Sequence, residues 1–397
     1  MDERARFVLE ALEGWSSMSA LCEEYHISRP VGYKWLRRYE REGLAGLVDR
    51  SRAPQHQAQA TPPPVVAAIV ALRQRHPHWG PRKLRARLQQ LEPTGAWPAA
   101  STIAAILRRE GLCARRRRRR RAGAWQSERT AADQPNRVWT TDFKGQFRLG
   151  EGRLCYPLTI VDGYSRYLLA CRALPSTAAA GVRATFERVF RTYGLPEVLR
   201  SDNGVPFSGP ALGGLSRLAV WWLRLGIRLE RTRPRHPEDN GAHERLHRTL
   251  KAEATRPARR TAELQQRTFD GFRTVYNTER PHEALGQRPP ATVYAPSPRP
   301  MPAHLPPPSY PAPFACRRIN RVGQLRWHGG LYFVSETLAR QTVGLEPTEE
   351  GAWRLHFGPV LLGHLEEHAG VLHPYGRHLT PRRRTQKSVS DVLGLRC

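Results

Sequence analysis

Apolar residues recur at helical spacing through residues 1–50. SMSALCEEY reads as a short amphipathic helix, HIS as a tight turn, and RPVGYKWLRRYEREG as a second helix, with Ser28 as its cap and Gly43 as its stop. Val31, Trp35 and Tyr39 fall at i, i+4 and i+8, which predicts one buried face. Arg29, Tyr33, Lys34, Arg37 and Arg38 lie off that face. A helix, a short turn and a basic helix predict a helix-turn-helix whose second helix enters the major groove of DNA. The alternative is a plain helical hairpin.

The helical rhythm returns in residues 61–112. PPPVVAAIVALRQRHP, GPRKLRARLQQL and STIAAILRREGL read as three helices, the last with Ser101 as cap and Gly111 as stop. They form either a second DNA-binding domain or a spacer. From residue 135 the pattern changes to β-branched and aromatic runs with turn signals between them. RVWTTDFKGQF and RLCYPLTIVDGYSRYLLACRAL read as strands. TAAAGVRATFERVFRTYG follows as a helix, PEVLRSDNG as a strand with its exit loop, and GGLSRLAVWWLRLGI as a strongly apolar helix. IRLERTRP is a short strand and DNGAHERLHRTLKAEA a polar amphipathic helix. Three strands followed by alternating helix and strand predict an α/β domain with a mixed sheet. Nine of residues 294–313 are proline, which predicts a stiff, extended linker. The short apolar runs beyond it predict hairpins closed into a small β-barrel.

These rhythms divide the chain into helix-turn-helix (1–55), second helical domain (61–113), Arg-rich linker (114–134), α/β core (135–295), Pro-rich linker (296–313), small β domain (314–380) and basic tail (381–397).

Charge sharpens the picture. The net charge is +29, and only five of 64 basic residues are lysine. Such an excess points to nucleic acid, whose phosphates release counterions when basic side chains neutralise them. A GC-rich genome accounts for much of the arginine bias. Arg115 to Arg121 form an unbroken run that is extended without a polyanion, as a solvated linker or as one that also tracks a phosphate backbone. The six cysteines show no C-x-x-C spacing, which speaks against a zinc ribbon or a disulfide framework and fits a reducing cytoplasm. No apolar run approaches a membrane span, and MDERARFV does not read as a signal peptide.

Candidate chemistry lies in three carboxylates of the α/β stretch. Asp142 sits in or at the end of the first strand, Asp202 at the end of a later one, and Glu244 one turn into the last helix. Neighbouring strands can bring the two aspartates together, and a helix on that sheet can add the glutamate. Three converging carboxylates are natural ligands for hard divalent cations. Two cations about 3.5–4 Å apart can clamp the attacking and leaving oxygens of a phosphodiester. Glu238 competes for the third place, but it lies in a turn beside Pro237, whereas the helix fixes the direction of Glu244. Arg248 and Lys251 share the face of Glu244 and place positive charge where a phosphate backbone must lie, while Leu246 and Leu250 point elsewhere. Asp162 shapes a hairpin turn with Gly163. Asp239 and Asn240 cap the Glu244 helix. His236, His243 and His247 read as packing or phosphate contacts, and Trp221 and Trp222 as core or interface.

VWTTDFKG, TIVDGYSRY, YGLPEVLRSDNGVPF, RTRPRHPEDNGAHERLHRTLK and YNTERPHEALGQRPPATVY together resemble the catalytic core of retroviral-type integrases and their insertion-sequence relatives, the DDE transposases. The resemblance covers nearly all of residues 135–295, in order. It implies a ribonuclease H-like fold, an Asp142, Asp202 and Glu244 triad holding two Mg²⁺ (Mn²⁺ as substitute), DNA 3′-end cleavage and strand transfer. It further implies double-stranded DNA partners (terminal inverted repeats and target), a dimer or larger assembly, and work in the bacterial cytoplasm at the nucleoid. The 41 residues between Asp202 and Glu244 exceed the interval often seen in the superfamily, and GLSRLAVWWLRLGI can hold the excess. The rival expectation is a catalytically inactive, sequence-specific DNA-binding protein.

Overall fold

The computed structural model describes residues 3–50, 60–113, 129–232, 241–349, 351–366 and 371–375. The arginine run Arg115–Arg121, His236, Glu238, Asp239, Asn240 and the tail from 381 lie outside the described residues. The chain divides into two compact units, Met1–Pro62 and Pro63–Cys397.

The first unit is helical: α1 (Glu3–Glu13), α2 (Met18–Glu24) and α3 (Arg29–Glu42). Phe7, Val8, Leu21, Cys22 and Leu47 form its core. Trp35 and Tyr39 are only partly buried; the fully buried position of α3 is Gly32, where a Cβ would meet Cys22 Sγ at 2.6 Å and Phe7 Cζ at 2.9 Å. The absent side chain lets α3 close on its neighbours. Ser28 occupies the cap position of α3 but makes no side-chain cap bond, since Pro30 removes one of the N–H groups such a cap would serve.

The second unit opens with α4 (Pro63–Arg75), α5 (Pro81–Leu91) and α6 (Ala100–Arg109), packed around Ile69, Trp79, Leu84 and Ile103. The cap of α6 is Ala99 rather than Ser101, which lies inside the first turn.

A mixed sheet follows. Its strands are β1 (Val138–Phe143), β2 (Phe147–Arg148), β3 (Leu154–Asp162), β4 (Leu168–Leu174), β5 (Val198–Ser201) and β6 (Arg228–Arg231). The order is β2-β3-β1-β5-β6, with β4 also paired to β3. β1 runs antiparallel to β3 and parallel to β5, and β5 parallel to β6. Alternate residues feed two cores. On one face Trp139, Leu158 and Ile160 pack against α7 (Ala179–Tyr193) and α8 (Arg217–Arg224), through Phe186, Phe190, Trp221 and Trp222. On the other, Val161, Leu168 and Cys171 pack against α9 (Gly241–Ala254) and α10 (Ala262–Thr278), through Leu246, Leu250, Phe269 and Phe272. The helix α10 is not among the elements expected above, although Phe269, Phe272 and Tyr276 are spaced for one helix face. The mixed α/β sheet is as expected, and the structure adds that helices cover both its faces.

The proline-rich stretch forms no helix or strand, and its first part is strapped to the core. Ser297 N donates to Tyr193 O (2.7 Å) and Leu195 N to Arg299 O (2.7 Å). Arg299 Nη1 donates to Pro196 O (2.8 Å) and Nη2 to Gly226 O (3.0 Å).

The C-terminal strands are β7 (Ala315–Arg318), β8 (Gln324–Trp327), β9 (Gly330–Phe333), β10 (Thr342–Pro347), β11 (Trp353–Phe357), β12 (Val360–Glu366) and β13 (Val371–Pro374). The expected barrel is not closed. The described strands form an open sheet, β13-β12-β11-β10-β7, and a separate β8–β9 hairpin. The apolar side has another cover: Leu215, Ala219, Val220 and Leu223 of α8 and the turn before it join Leu325, Val343, Leu355 and Leu362 in one cluster. With α8 against it, the sheet need not curl on itself to bury that face. α8 is therefore apolar on both sides, one for each sheet.

Candidate active site

The parallel register of β1 and β5 pairs Val138 with Val198, Trp139 with Leu199 and Thr140 with Arg200. Asp142 and Asp202 continue the same offset, two residues past the last pair. They stand at one level, on one side of the sheet, because side chains alternate with period two. Asp202 follows the last residue of β5, and its Oδ1 accepts the Gly204 N–H at 3.2 Å. Asn203 Nδ2 donates to Thr232 O (2.8 Å), and Phe207 is buried in the core, so the loop that carries Asp202 is held at both ends.

Glu244 lies in the first turn of α9 and is exposed. Two histidines on the same helix tie it to the sheet. His243 and His247 are buried. Thr159 Oγ1 lies 2.6 Å from His243 Nε2 and 2.8 Å from His247 Nε2, and it donates to Asp142 O at 3.0 Å. A hydroxyl has one hydrogen and two lone pairs. All three contacts are satisfied together only if both imidazoles donate from Nε2. Nδ1 of His243 then accepts from Thr140 Oγ1 at 3.0 Å, and Nδ1 of His247 faces Asp142 Oδ2 at 3.8 Å. Burial holds His243 well below the usual histidine range and His247 down at about 3, so both rings are neutral. In sequence these histidines read as packing or phosphate contacts; their i, i+4 spacing is the signal that they share a buried face.

The Asp142 carboxyl is pushed up to about 7, first by burial, then by Asp202, with Glu244 adding to the rise and Lys144 opposing it. Asp202 and Glu244 thus both act on Asp142. Among the described residues no three His, Cys, Asp or Glu side chains are drawn tightly enough together to make a ready metal cage. The donor set still fits a hard divalent cation: it is all carboxylate oxygen, with Asp142 largely buried and Glu244 open to solvent.

The other singled-out residues fall as follows. Arg29, Tyr33, Lys34 and Arg37 are exposed on α3. Arg38 is half-buried, with its guanidinium 5.1 Å from the Trp35 ring, which Lys34 also approaches at 5.4 Å. Arg248 and Lys251 are exposed on α9. Asp162 closes the β3–β4 turn, accepting from Asn136 N (2.7 Å), Ser165 N (2.8 Å) and Ser165 Oγ (2.5 Å).

A sequence profile described as an integrase core domain matches residues 132–237, and a second of the same description matches residues 225–290. The chain carries an integrase core domain. A helix-turn-helix domain profile matches residues 3–55 of this integrase-core chain, and a homeodomain-like domain profile matches residues 31–107. Over 281 residues it is 26% identical to the "Insertion element IS407 uncharacterized 31.7 kDa protein" of Burkholderia multivorans, a match covering 70% of this chain and 94% of that one. It is 28% identical over 198 residues to the Gag-Pol polyprotein of baboon endogenous virus, covering 49% of this chain. The match spans 11% of that polyprotein and 12% of the Pol polyprotein of feline endogenous virus ECE1. Among solved structures, the HTLV-2 integrase catalytic core domain in complex with magnesium aligns at 12% identity over 41% of this chain and 98% of that one, with a TM-score of 0.33. A chain of the simian T-cell lymphotropic virus intasome aligns at 15% identity over 74% of this chain and 97% of that one, with a TM-score of 0.37. The integrase-core and helix-turn-helix domains imply DNA binding. No described helix is long and apolar enough to cross a membrane.

Proposed function

We propose that this integrase-core chain is a DNA transposase that cuts the ends of an insertion sequence to expose 3′-hydroxyls and joins them to target DNA. The observation that carries this reading is the shared level of Asp142 and Asp202 on paired strands, beside the helix that bears Glu244. Asp142, Asp202 and Glu244 would hold two Mg²⁺, or Mn²⁺ in their place. When bound, such a pair activates the attacking oxygen and stabilises the leaving one. The chain itself supplies position. β1 and β5 set two carboxylates side by side, and His243 and His247 fix α9, and with it Glu244, against β1 and its neighbour β3. Arg248 and Lys251 would hold phosphates beside the site. Residues 1–55 and 61–113 would select the terminal inverted repeats, with Arg29, Tyr33, Lys34, Arg37 and Arg38 turned to DNA; base contacts specify and phosphate contacts position. Joining two ends calls for two or more copies on the DNA. The setting would be the nucleoid of a bacterial cytoplasm.

Asp202→Asn tests the reading with oligonucleotide ends, a target plasmid and Mg²⁺. Loss of one ligand is expected to lower strand transfer by more than about a hundredfold, since even supporting groups around metal sites cost 10–100-fold. Strand transfer at the wild-type rate would overturn the assignment. Sequence-specific binding by the wild-type chain with no cleavage would make it a non-catalytic DNA-binding protein instead.

A further inference from the structure

A second feature of α9 lies beside the carboxylates. A cavity of about 340 Å³ opens where the start of α5 meets the β3–β4 turn, α9 and the end of α10, and Lys83, Arg166, Arg245, Arg248 and Arg280 line it. Arg280 is committed to Glu253 at 2.7 Å. Glu283 also lines the cavity, but it is 73% exposed and sits 3.4 Å from Arg82. Lys83, Arg166, Arg245 and Arg248 make no ion pair among the described residues. Lys83 is half-buried, and burial, then the nearby Arg280, hold its amine down at about 8. Burial also lowers Arg166, which takes a left-handed backbone (φ 63°) at the turn. The fold thus gathers cations from three separated stretches of chain; Glu253 and Glu283 act on Lys83, and Asp162 on Arg166, without forming ion pairs with them among the described residues, and a bound anion would relieve the self-repulsion that is left.

We propose that this cavity is a phosphate-holding site for the DNA backbone, built jointly by the second helical domain through Lys83 and by the integrase core through Arg166, Arg245 and Arg248. The inference rests on the transposase reading and assigns DNA contact to a place outside the carboxylate site. Guanidinium forks match phosphate oxygens in pairs, and the concave wall suits a backbone strand better than a flat surface would. Arg245 is the residue after Glu244, and Arg248 is one turn further along. The cavity and the candidate reaction site therefore share the first two turns of α9. On this view residues 61–113 do more than space two domains. They supply one wall of the site.

The experiment is the salt dependence of binding by the full chain to a labelled 30-base-pair duplex in EDTA, so that no chemistry intervenes. Lys83→Gln with Arg245→Gln is expected to flatten the slope of log K against log[KCl] by about two, one for each phosphate no longer neutralised. Arg188→Gln with Arg191→Gln, the same charge change on α7 across the sheet, is expected to change it much less. A wild-type slope in the first pair, or an equal change in the second, overturns the proposal. If the double variant fails to fold, Arg245→Gln alone, at an exposed position, should flatten the slope by about one, and no change refutes the site. Saturable binding of inorganic phosphate below millimolar concentration, lost in the same variant, would assign the cavity to a free anion and likewise overturn it. None of these readouts depends on catalysis. Active Asp202→Asn would sink the transposase reading and leave the phosphate site standing, while an unchanged slope would do the reverse.

Discussion

The Thr159 hydroxyl sits 2.8 Å from His247 Nε2 while its one hydrogen goes to the Asp142 carbonyl oxygen at 3.0 Å. One side chain on β3 therefore joins the strand of Asp142 to the helix of Glu244. Thr159→Val keeps the shape and removes the hydroxyl. It orphans two buried imidazole N–H groups, each costing about 1–3 kcal/mol. We expect a lower urea midpoint and a fall in strand transfer, with DNA affinity retained. A variant with full stability and full activity would show that this junction does not position Glu244.

Asp142 makes metal-free stability depend on pH. Its carboxyl is raised from 3.8 to about 7, so between those values the folded chain holds a proton that the unfolded chain has released. That contribution is present at low pH and is lost as pH rises toward 7. Asp142→Asn should therefore gain stability over the wild type as pH rises from 4 to 8 in EDTA, read as a difference in melting temperature. A constant difference across that range would contradict the raised carboxyl. His247 acts oppositely: held at about 3 against an ordinary 6.5, it contributes stability that is lost as pH falls below 6.5. Only the difference between variants isolates Asp142.

Gly194 ends α7 with φ 77°, and a Cβ there would meet the carbonyl oxygens of Ser297 and Arg299, each at 2.7 Å. Gly194→Ala combines a left-handed backbone with a clash against the strap. A loss of about 1–3 kcal/mol is expected from the backbone alone. The strap should also become more open to protease. Chemical denaturation and limited proteolysis measure both effects, and wild-type behaviour in both would remove the strap from the account.

Val220 is 6% exposed on the side of α8 that faces the C-terminal sheet. Val220→Asp puts an unpaired carboxylate into that apolar cluster, a cost of several kcal/mol. The expected result is cleavage within residues 296–313 at protease levels that leave the wild type intact, with the integrase core still folded by circular dichroism. Uniform unfolding instead would mean the two sheets melt as one body.

Much of this was legible in the order of apolar runs. The β-branched stretches around Asp142 and Asp202 became strands, and the amphipathic spacing around Glu244 became α9. What stayed hidden was relational. Nothing local states that β1 pairs parallel to β5 with the offset that levels two aspartates. The histidines of α9 gain their meaning only from Thr159, more than 80 positions away. Proline content predicted an extended strap but not its anchors, because those are backbone carbonyls that any residue carries. Strand count alone cannot tell an open sheet from a closed barrel, because closure depends on whether the last edges meet.

The 41 residues between Asp202 and Glu244 include a helix with no solvent side of its own to spare. A fragment ending at residue 295 would uncover Leu215, Ala219, Val220 and Leu223 as a contiguous apolar strip, a surface that invites aggregation. The integrase core of this chain is therefore not excisable in the ordinary sense. Its long interval and its C-terminal sheet share one apolar face, so removal of the sheet calls for polar replacements along that side of α8.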